Sequence, residues 1–245
     1  MALRRVSIPS PNYSSRGGTA VTTIVLHTAE GAVGPGAYRS LGAYFQNPSV
    51  QASSHVGIDD TPGEIGEYVP RSGKAWTAAN ANPYSVQAEL CAFASWDAAT
   101  WQAHPNMLAN VAAWIAEEAA AFGIPIVGLT AAQAQNPAAR GVCQHADLGS
   151  MGGGHWDCGS GFPFQQVLNM AASGGSTGDD DLPLNDADKK WFTDTINAAV
   201  NQQLRTLFAP SAECYNRGIQ WTNDSIARNS GNFVKWAADG ASQAG

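Results

Sequence analysis

Two runs of apolar residues predict buried β-strands. Residues 21–26 (V-T-T-I-V-L) and 85–93 (S-V-Q-A-E-L-C-A-F) are rich in β-branched and apolar side chains, which is typical of strands covered on both faces. Between them, residues 53–69 run through the turn residues 59–63 and predict a β-hairpin. Glu89 interrupts the second run, and a carboxylate there is costly unless it is paired or lies near a metal. The alternative is a Glu89 that faces solvent at a sheet edge.

Three other segments carry apolar residues at helical spacing, namely 37–45, 106–122 and 162–172. In 106–122 an apolar residue recurs every three or four positions, and Gly123 is expected to end the helix. Residues 1–20 are rich in turn formers and predict an N-terminal arm. Strands and helices in mixed order predict an α/β or α+β fold, with a central mixed sheet flanked by helices.

The character of the chain changes after residue 172. Residues 173–183 (S-G-G-S-T-G-D-D-D-L-P) have the composition of a linker. In 184–245 we expect a small helical segment, because apolar residues follow helical spacing as far as about Phe208. We therefore expect a domain at 1–172, a linker at 173–183 and a helical C-terminal segment at 184–245. An amphipathic helix must bury its apolar stripe, so self-association is one expectation for this segment.

Composition excludes several classes of partner. The 245 residues carry a formal net charge of −7 with a pI of about 5.1, which argues against nucleic acid as a ligand. No run of eighteen apolar residues occurs, so we expect no membrane insertion. Two arginines near the N-terminus are not followed by an apolar segment, so we expect no signal peptide. The four cysteines form no C-x-x-C pair and are expected to be thiols.

The loop at 144–164 concentrates the residues that can do chemistry. It contains His145, His155, Asp157 and Cys158 together with six glycines. A loop this rich in glycine loses much entropy on ordering, and a bound metal would offset that loss. We expect the metal's remaining ligand to come from far upstream.

His27 is the candidate for that upstream ligand, because it follows the first predicted strand directly and precedes a loop containing glycine. The candidate ligands are then His27, His145 and one of Asp157 or Cys158. Three protein ligands with an open fourth position are typical of catalytic zinc, whereas structural zinc sites close with four. Calcium and magnesium prefer sites made of oxygen ligands. The sequence therefore predicts a zinc ion.

Five motifs, taken in order, resemble those of the zinc-dependent N-acetylmuramoyl-L-alanine amidases. They are V-L-H-T-A-E-G, S-H-V-G-I-D-D-T-P-G-E-I, A-W-T-A-A-N, the strand that carries Glu89, and H-W-D-C-G-S-G-F-P-F. The resemblance covers roughly residues 20–170. It implies the fold shared with peptidoglycan recognition proteins, a zinc-floored cleft, and cleavage of the amide between N-acetylmuramic acid and L-alanine in bacterial peptidoglycan.

The resemblance also implies roles for individual residues. His27 and His145 match the two histidine ligands, and Asp157 matches the third ligand. Cys158 takes the place of a proline in the family motif, yet it stays an alternative ligand because some relatives use cysteine. Glu89 matches the acid that activates water.

Two departures from the family pattern affect the catalytic groups. His155 replaces a lysine, and we expect it to donate a hydrogen bond to the oxyanion of the reaction. Ser54 stands where some relatives have a catalytic tyrosine, so Glu89 is the expected base. His55, next to it, either faces the cleft or is structural.

The resemblance is greatest to phage endolysins, which implies a protein held in the host bacterial cytoplasm before lysis and then acting on the cell wall. On this interpretation the segment 184–245 binds the wall or associates with itself. The main alternative is a non-catalytic peptidoglycan-binding module on the same fold. Such modules lack one or more zinc ligands, whereas every candidate ligand position is filled here, which favours the enzyme. A structural virion protein is a third possibility, but it gives no reason for the clustered histidines and aspartate.

Overall fold

The computed structural model describes residues 2–174. The strands of this part are β1 (Arg4–Ser7), β2 (Tyr13–Ser15), β3 (Thr23–Thr28), β4 (Val56–Ile58), β5 (Glu64–Glu67), β6 (Gly73–Ala75), β7 (Ser85–Leu90) and β8 (Gly141–Gln144). The α-helices are α1 (Ala37–Phe45), α2 (Ala98–Gln102), α3 (Pro105–Phe122), α4 (Ala131–Ala134) and α5 (Phe164–Ala172). Short 3-10 helices occupy Pro48–Val50, Ala79–Tyr84 and His145–Gly152.

Six of the strands form a mixed central sheet in the order β1-β5-β4-β7-β3-β8. The central strand β3 pairs in parallel with both β7 and β8, and β7 pairs in parallel with β4. The predicted hairpin forms the antiparallel pair of β4 and β5. Strands β2 and β6 make a separate antiparallel pair. The sheet is therefore mixed and flanked by helices, which confirms the predicted fold class.

Alternation along the central strands divides the side chains between the two faces of the sheet. Ile24 and Leu26 of β3 point to one face, where they share a large apolar cluster with residues of α3 and α5. Val25 points to the other face and packs in a smaller cluster that includes Cys143 of β8 and Leu148. His27 follows Val25 at a spacing of two, so the strand directs the His27 side chain to this second face.

Several elements agree with the sequence analysis and others do not. Helix α1 spans the predicted residues, and α3 begins at Pro105, one residue before the predicted start. Strand β3 continues through His27 to Thr28, so His27 lies within the strand and does not follow it. The prediction of an N-terminal arm over residues 1–20 was wrong for residues 4–7, which form β1 and pair with β5 at the sheet edge.

The predicted linker from residue 175 onward and the predicted helical segment 184–245 lie outside the described residues. Within residues 2–174, no helix combines the length and the apolar character that crossing a bilayer requires.

Candidate functional site

The parallel pairing of β3 with β8 brings the two candidate histidines together. His27 lies near the carboxyl end of β3, and His145 follows β8 directly. Leu26 is paired with Gln144 across the two strands, so the next residue of each strand reaches the same edge. The Nδ1 atoms of His27 and His145 are 2.8 Å apart. The parallel pairing of β3 with β8 thus places His27 and His145 side by side, although they are more than a hundred positions apart in the sequence.

Asp157 completes a group of three possible ligands. Its Oδ1 lies 3.2 Å from Nδ1 of His145, and its Oδ2 lies 3.5 Å from Nδ1 of His27. One ligand atom from each of the three buried residues lies within 4.8 Å of the others. The backbone N–H of Thr28 donates to Oδ2 of Asp157 at 3.2 Å, and that of Ala146 donates to its carbonyl at 2.8 Å. Both strand ends therefore hold the Asp157 loop in place.

Each of the two imidazoles is held by a hydrogen bond at Nε2, the ring nitrogen that points away from Asp157, so that Nδ1 faces the other two ligands. Nε2 of His27 lies 3.0 Å from Oε1 of Gln87, and Nε2 of His145 lies 2.8 Å from the carbonyl oxygen of Gly152. Both partners are acceptors, so each Nε2 carries the proton and donates it. In the neutral imidazoles, each Nδ1 then presents a lone pair toward Asp157.

The orientation of the Gln87 amide is itself fixed. Its Nε2 donates to Oδ1 of Asn82 at 2.9 Å, and that oxygen also accepts the backbone N–H groups of Thr77 and Ala78 at 3.1 and 2.6 Å. Asn82 can only accept at this atom, so the oxygen of Gln87 must face His27. The support of His27 therefore reaches back to the backbone of residues 77–78.

The electrostatics of the three residues suit a divalent cation. Burial lowers the pKa of His27 to about 4, so its imidazole is neutral at pH 7. Burial would raise the pKa of Asp157, but hydrogen bonds and charge interactions with His145 and His27 hold it well below the ordinary range. With both Nε2 atoms protonated, two Nδ1 lone pairs and a carboxylate face one another and repel. Either a proton shared with Asp157, which gives its carboxyl group the low pKa, or a divalent metal ion relieves this repulsion. Imidazole nitrogen with one carboxylate is a donor set that zinc accepts.

Cys158, the alternative ligand, points elsewhere. Its side chain is fully buried and belongs to the apolar cluster that contains Trp101 and Phe162. Burial raises the pKa of the Cys158 thiol well above its usual value, which disfavours the thiolate that binds metals. Among the described residues, the group of closely spaced ligand atoms contains Asp157 and not Cys158.

Glu89 lies beside the three ligands on β7. Its register partner in the parallel pair of β3 and β7 is His27. The Oε2 atom of Glu89 is buried and has no hydrogen-bond partner among the described residues. Burial raises the pKa of Glu89 to about 8, and the negative charges of Asp157 and Glu30 add to the shift. An unpartnered buried carboxyl group with a pKa near neutrality is a common feature of catalytic sites.

The raised pKa of Glu89 predicts a pH-dependent loss of stability. Between pH values of about 4.5 and 8, the unfolded chain releases the Glu89 proton while the folded chain retains it. Rising pH therefore favours unfolding in this window. In chelator-treated protein, Glu89→Gln should become progressively more stable than the unsubstituted chain as pH rises, as measured by urea unfolding at several pH values. A difference in stability that does not change with pH would contradict the shift.

His155 lies at the mouth of the site. Its ring is mostly exposed and stacks on His145, with a centroid distance of 4.4 Å and an interplanar angle of 13°. Its Nδ1 lies 4.0 Å from Oδ1 of Asp157. The structure therefore brings His155 to the three ligands from the solvent side, where a substrate must approach.

His55 and Ser54 take structural positions. His55 is buried, and its Nδ1 accepts the backbone N–H of Gln87 at 3.1 Å. Its Nε2 lies 3.1 Å from the carbonyl oxygen of Gly73 and 2.8 Å from the guanidinium of Arg16. The hydroxyl of Ser54 donates to the carbonyl of Gln87. Of the two interpretations of His55, the contacts favour the structural one.

Sequence reasoning missed Gln87 and the Gly152 carbonyl, which orient the two imidazoles. One feature of the sequence could have identified Gln87. It and Glu89 are polar residues two positions apart in a largely apolar strand, which places both side chains on the same face of the sheet. The sequence has no such feature for Gly152, because any residue offers a backbone carbonyl.

Comparisons with known proteins identify the family of this chain. The family described as N-acetylmuramoyl-L-alanine amidase matches residues 17–160. N-acetylmuramoyl-L-alanine amidase A from Achromobacter lyticus is 35% identical over 94 residues, which are 38% of this chain and 49% of that protein. The chain thus matches about half the length of this curated relative. The family match includes every candidate residue of the site from His27 to Asp157.

Solved structures with a similar fold include two hydrolases. The Staphylococcus aureus hydrolase AmiA, in complex with its ligand, is 18% identical with a TM-score of 0.49, and the match covers 71% of this chain and 80% of that one. The N-acetylmuramoyl-L-alanine amidase LysC from Clostridium intestinale is 13% identical with a TM-score of 0.48, and the match covers 69% of this chain and 97% of that one. The family match covers residues 17–160, which are more than half of this chain, and the chain therefore belongs to the N-acetylmuramoyl-L-alanine amidase family.

Proposed function

We propose that this chain is a zinc-dependent peptidoglycan hydrolase, which cleaves the amide between the lactyl group of N-acetylmuramic acid and L-alanine. The observation that carries the proposal is the convergence of His27, His145 and Asp157 beside the unpartnered carboxyl group of Glu89. Membership of the amidase family supports the reaction. The same convergence favours an enzyme over a binding module, because a module has no need of a complete ligand set with a carboxyl group beside it.

Zinc, when bound by His27, His145 and Asp157, would polarise the scissile carbonyl and make water more acidic. Glu89 takes the proton of the attacking water and later delivers it to the departing amine of L-alanine. In the metal-free chain the pKa of Glu89 is raised to about 8, and the charge of a bound zinc ion would lower it toward neutral pH. A group that must accept and then release a proton works best near its own pKa. His155 donates a hydrogen bond to the carbonyl oxygen as negative charge develops there.

The test of the proposed function is to identify the bond that is cut. Purified peptidoglycan incubated with the full chain and zinc should release new amino termini, and N-terminal labelling should identify them as alanine. The number of reducing sugar ends should not rise. New reducing ends would identify a glycosidase instead. A protein that sediments with the wall and releases neither product would be the non-catalytic binding module.

The biological setting that we propose is phage lysis, in which the protein stays in the host bacterial cytoplasm until the membrane opens and then acts on the wall. The sequence supports this setting through the short segment that follows the family-matched region, for which wall binding or self-association remains a prediction. Protein made inside bacteria should leave cells intact until a membrane-permeabilising agent is added. Lysis without the agent would contradict the proposal.

Gln87 gives a separate prediction about metal binding. Gln87→Leu removes the acceptor for Nε2 of His27, so the imidazole loses both its orientation and its preferred tautomer. We expect zinc affinity to fall by about 10–100-fold, as measured by competition with a chromophoric chelator. Gln102→Leu is the matched control, because Gln102 is exposed and pairs with Gln166 on the protein surface. Equal affinity in the two variants would mean that Gln87 does not position His27.

A further inference from the structure

An open groove runs along the surface next to the three ligands. It lies between residues 94–98 on one wall and Trp156, Gly159, Ser160 and Gly161 on the other, and has a volume of about 620 Å³. The first segment follows β7, the strand that carries Glu89, and the second begins next to Asp157. Both walls are therefore direct continuations of the elements that form the candidate site. A long substrate that places its scissile bond at the ligands has room to extend into this groove, because Trp156 on its wall is adjacent in sequence to Asp157.

Backbone packing fixes the shape of the groove. Gly159 and Gly161 approach so closely that a Cβ atom on either would collide with the carbonyl oxygens of Ala94 and Trp96, respectively. Gly159 also has a φ of 86°, which favours glycine. The backbone N–H of Ala94 donates to Oε1 of Glu30 at 2.7 Å, which ties this wall to the end of β3. The groove is thus preformed.

Trp156 is the notable side chain of the groove. It is 63% exposed, which is the largest exposed fraction among the large apolar residues described in the structure. It stands in sequence between His155 and Asp157, at the end of the groove next to the reaction. Indole offers a flat apolar face with a polar N–H at its edge. An exposed apolar side chain of this size beside an active site indicates a ligand-binding role.

The charge of the groove decides which part of the substrate fits it. Among the residues described along it, none is basic and Asp97 is the only charged one. The carboxylate of Asp97 is occupied, because it accepts the backbone N–H and the hydroxyl of Thr100 at the start of α2. The peptide stems of peptidoglycan carry carboxylates, which would need cations here. The sugar rings are uncharged, with one apolar face and a rim of hydroxyl and acetamido groups.

We propose that this groove binds the glycan strand of the substrate, with Trp156 stacking on an N-acetylated sugar ring. The assignment rests on the proposed function for the identity of the substrate. The hydroxyls of Ser95 and Ser160, on opposite walls, offer hydrogen bonds to the sugar rim. The peptide stem then leaves the site on the side away from the groove.

The test compares the two halves of the substrate as separate ligands. Tetra-N-acetylchitotetraose supplies N-acetylated sugars without a peptide, and a free L-Ala–D-Glu–L-Lys tripeptide supplies a stem without a sugar. In saturation-transfer NMR titrations with the full chain, Trp156→Ala should weaken oligosaccharide binding by at least about ten-fold. It should leave tripeptide binding unchanged. Trp156→Phe, which keeps a flat ring, should retain most of the affinity for the oligosaccharide.

Two controls separate this proposal from other effects. Tyr44→Ala removes an aromatic side chain that is 57% exposed on α1, and it should not change oligosaccharide binding. Zinc content must be the same in every variant, because Trp156 adjoins Asp157. On polymeric peptidoglycan, Trp156→Ala should raise KM by a larger factor than it lowers kcat, since stacking on a sugar ring that takes no part in bond cleavage contributes equally to the bound substrate and to the transition state.

Three results would overturn the assignment. The first is equal oligosaccharide binding by Trp156→Ala and the unsubstituted chain. The second is the absence of oligosaccharide binding from both proteins. The third is weaker binding of the tripeptide, and not of the oligosaccharide, by Trp156→Ala. The proposed function fails in a different way. If the oligosaccharide binds through Trp156 but no alanine amino termini are released from peptidoglycan, the glycan groove stands and the amidase reaction is wrong.

Discussion

Glu89→Gln is expected to lower turnover on peptidoglycan by roughly 10²–10⁴-fold, the usual contribution of a general base, while the protein still binds zinc. The amide has the size of the carboxyl group, but it cannot take a proton from water. Glu89 belongs to none of the ligand contacts, which join His27, His145 and Asp157. Turnover is measured as alanine amino termini released per minute, and zinc by elemental analysis of the same preparation.

The matched control is Glu67→Gln, which makes the same change in a half-exposed carboxylate that pairs with Arg5. It should keep turnover close to that of the unsubstituted chain. Glu89→Gln with full turnover would remove Glu89 from the reaction. Glu89→Gln without zinc would show that this carboxylate holds the metal, and the assignment of roles in the site would then be wrong.

Substituting any of the three ligands is expected to abolish both zinc binding and turnover. His27→Ala, His145→Ala and Asp157→Ala each remove one of the three donors that come together among residues 2–174. We expect each substitution to weaken zinc binding by more than about 100-fold. This exceeds the roughly 10–100-fold loss of affinity that is usual when a residue that only hydrogen-bonds to a ligand is substituted. Zinc titration, together with circular dichroism of the metal-free variants, distinguishes a lost ligand from a lost fold.

Cys158→Ala is the control that decides between the two adjacent candidates. The Cys158 side chain lies in the apolar core, so the variant should lose some stability and keep its zinc affinity. If Cys158→Ala lost zinc while Asp157→Ala retained it, the thiol would be the ligand. The loop would then direct the Cys158 thiol, and not the Asp157 carboxylate, toward the two imidazoles.

Some elements of the fold could be predicted because their patterns are long. The apolar run that became β3 and the periodic segment that became α3 each leave little choice of structure. Strand β8 was missed because its four residues G-V-C-Q are too few to show a period. Strand β1 was missed because the turn formers that follow it, in residues 9–18, made the whole N-terminal segment resemble an arm. At the sheet edge, however, Arg5 is paired with Glu67, Glu117 and Glu118.

The candidate site could be predicted only in part, for a similar reason. The ligands are types of residue that have few other reasons to cluster. The residues supporting them are joined through space, and their roles depend on the direction of a carbonyl or an amide. Asp157 and Cys158 are adjacent in sequence, and only the path of the backbone sends one side chain to the imidazoles and the other to the core. The predictions for residues 184–245 stay predictions.

The position of Gln87 and Glu89 on one strand has an evolutionary consequence. They project from the same face at a spacing of two, so the pleat of β7 sets the distance between the amide that orients the His27 imidazole and the carboxyl group that we propose as the general base. A shift of this strand would disturb both at once, so its sequence has little freedom to diverge. The side chains that line the groove, such as Ser95, Trp156 and Ser160, have more freedom, whereas Asp157, Gly159 and Gly161 are constrained by the site and by backbone packing. Related enzymes can therefore acquire new wall specificities by remodelling the side chains that line the groove while inheriting an unaltered reaction centre.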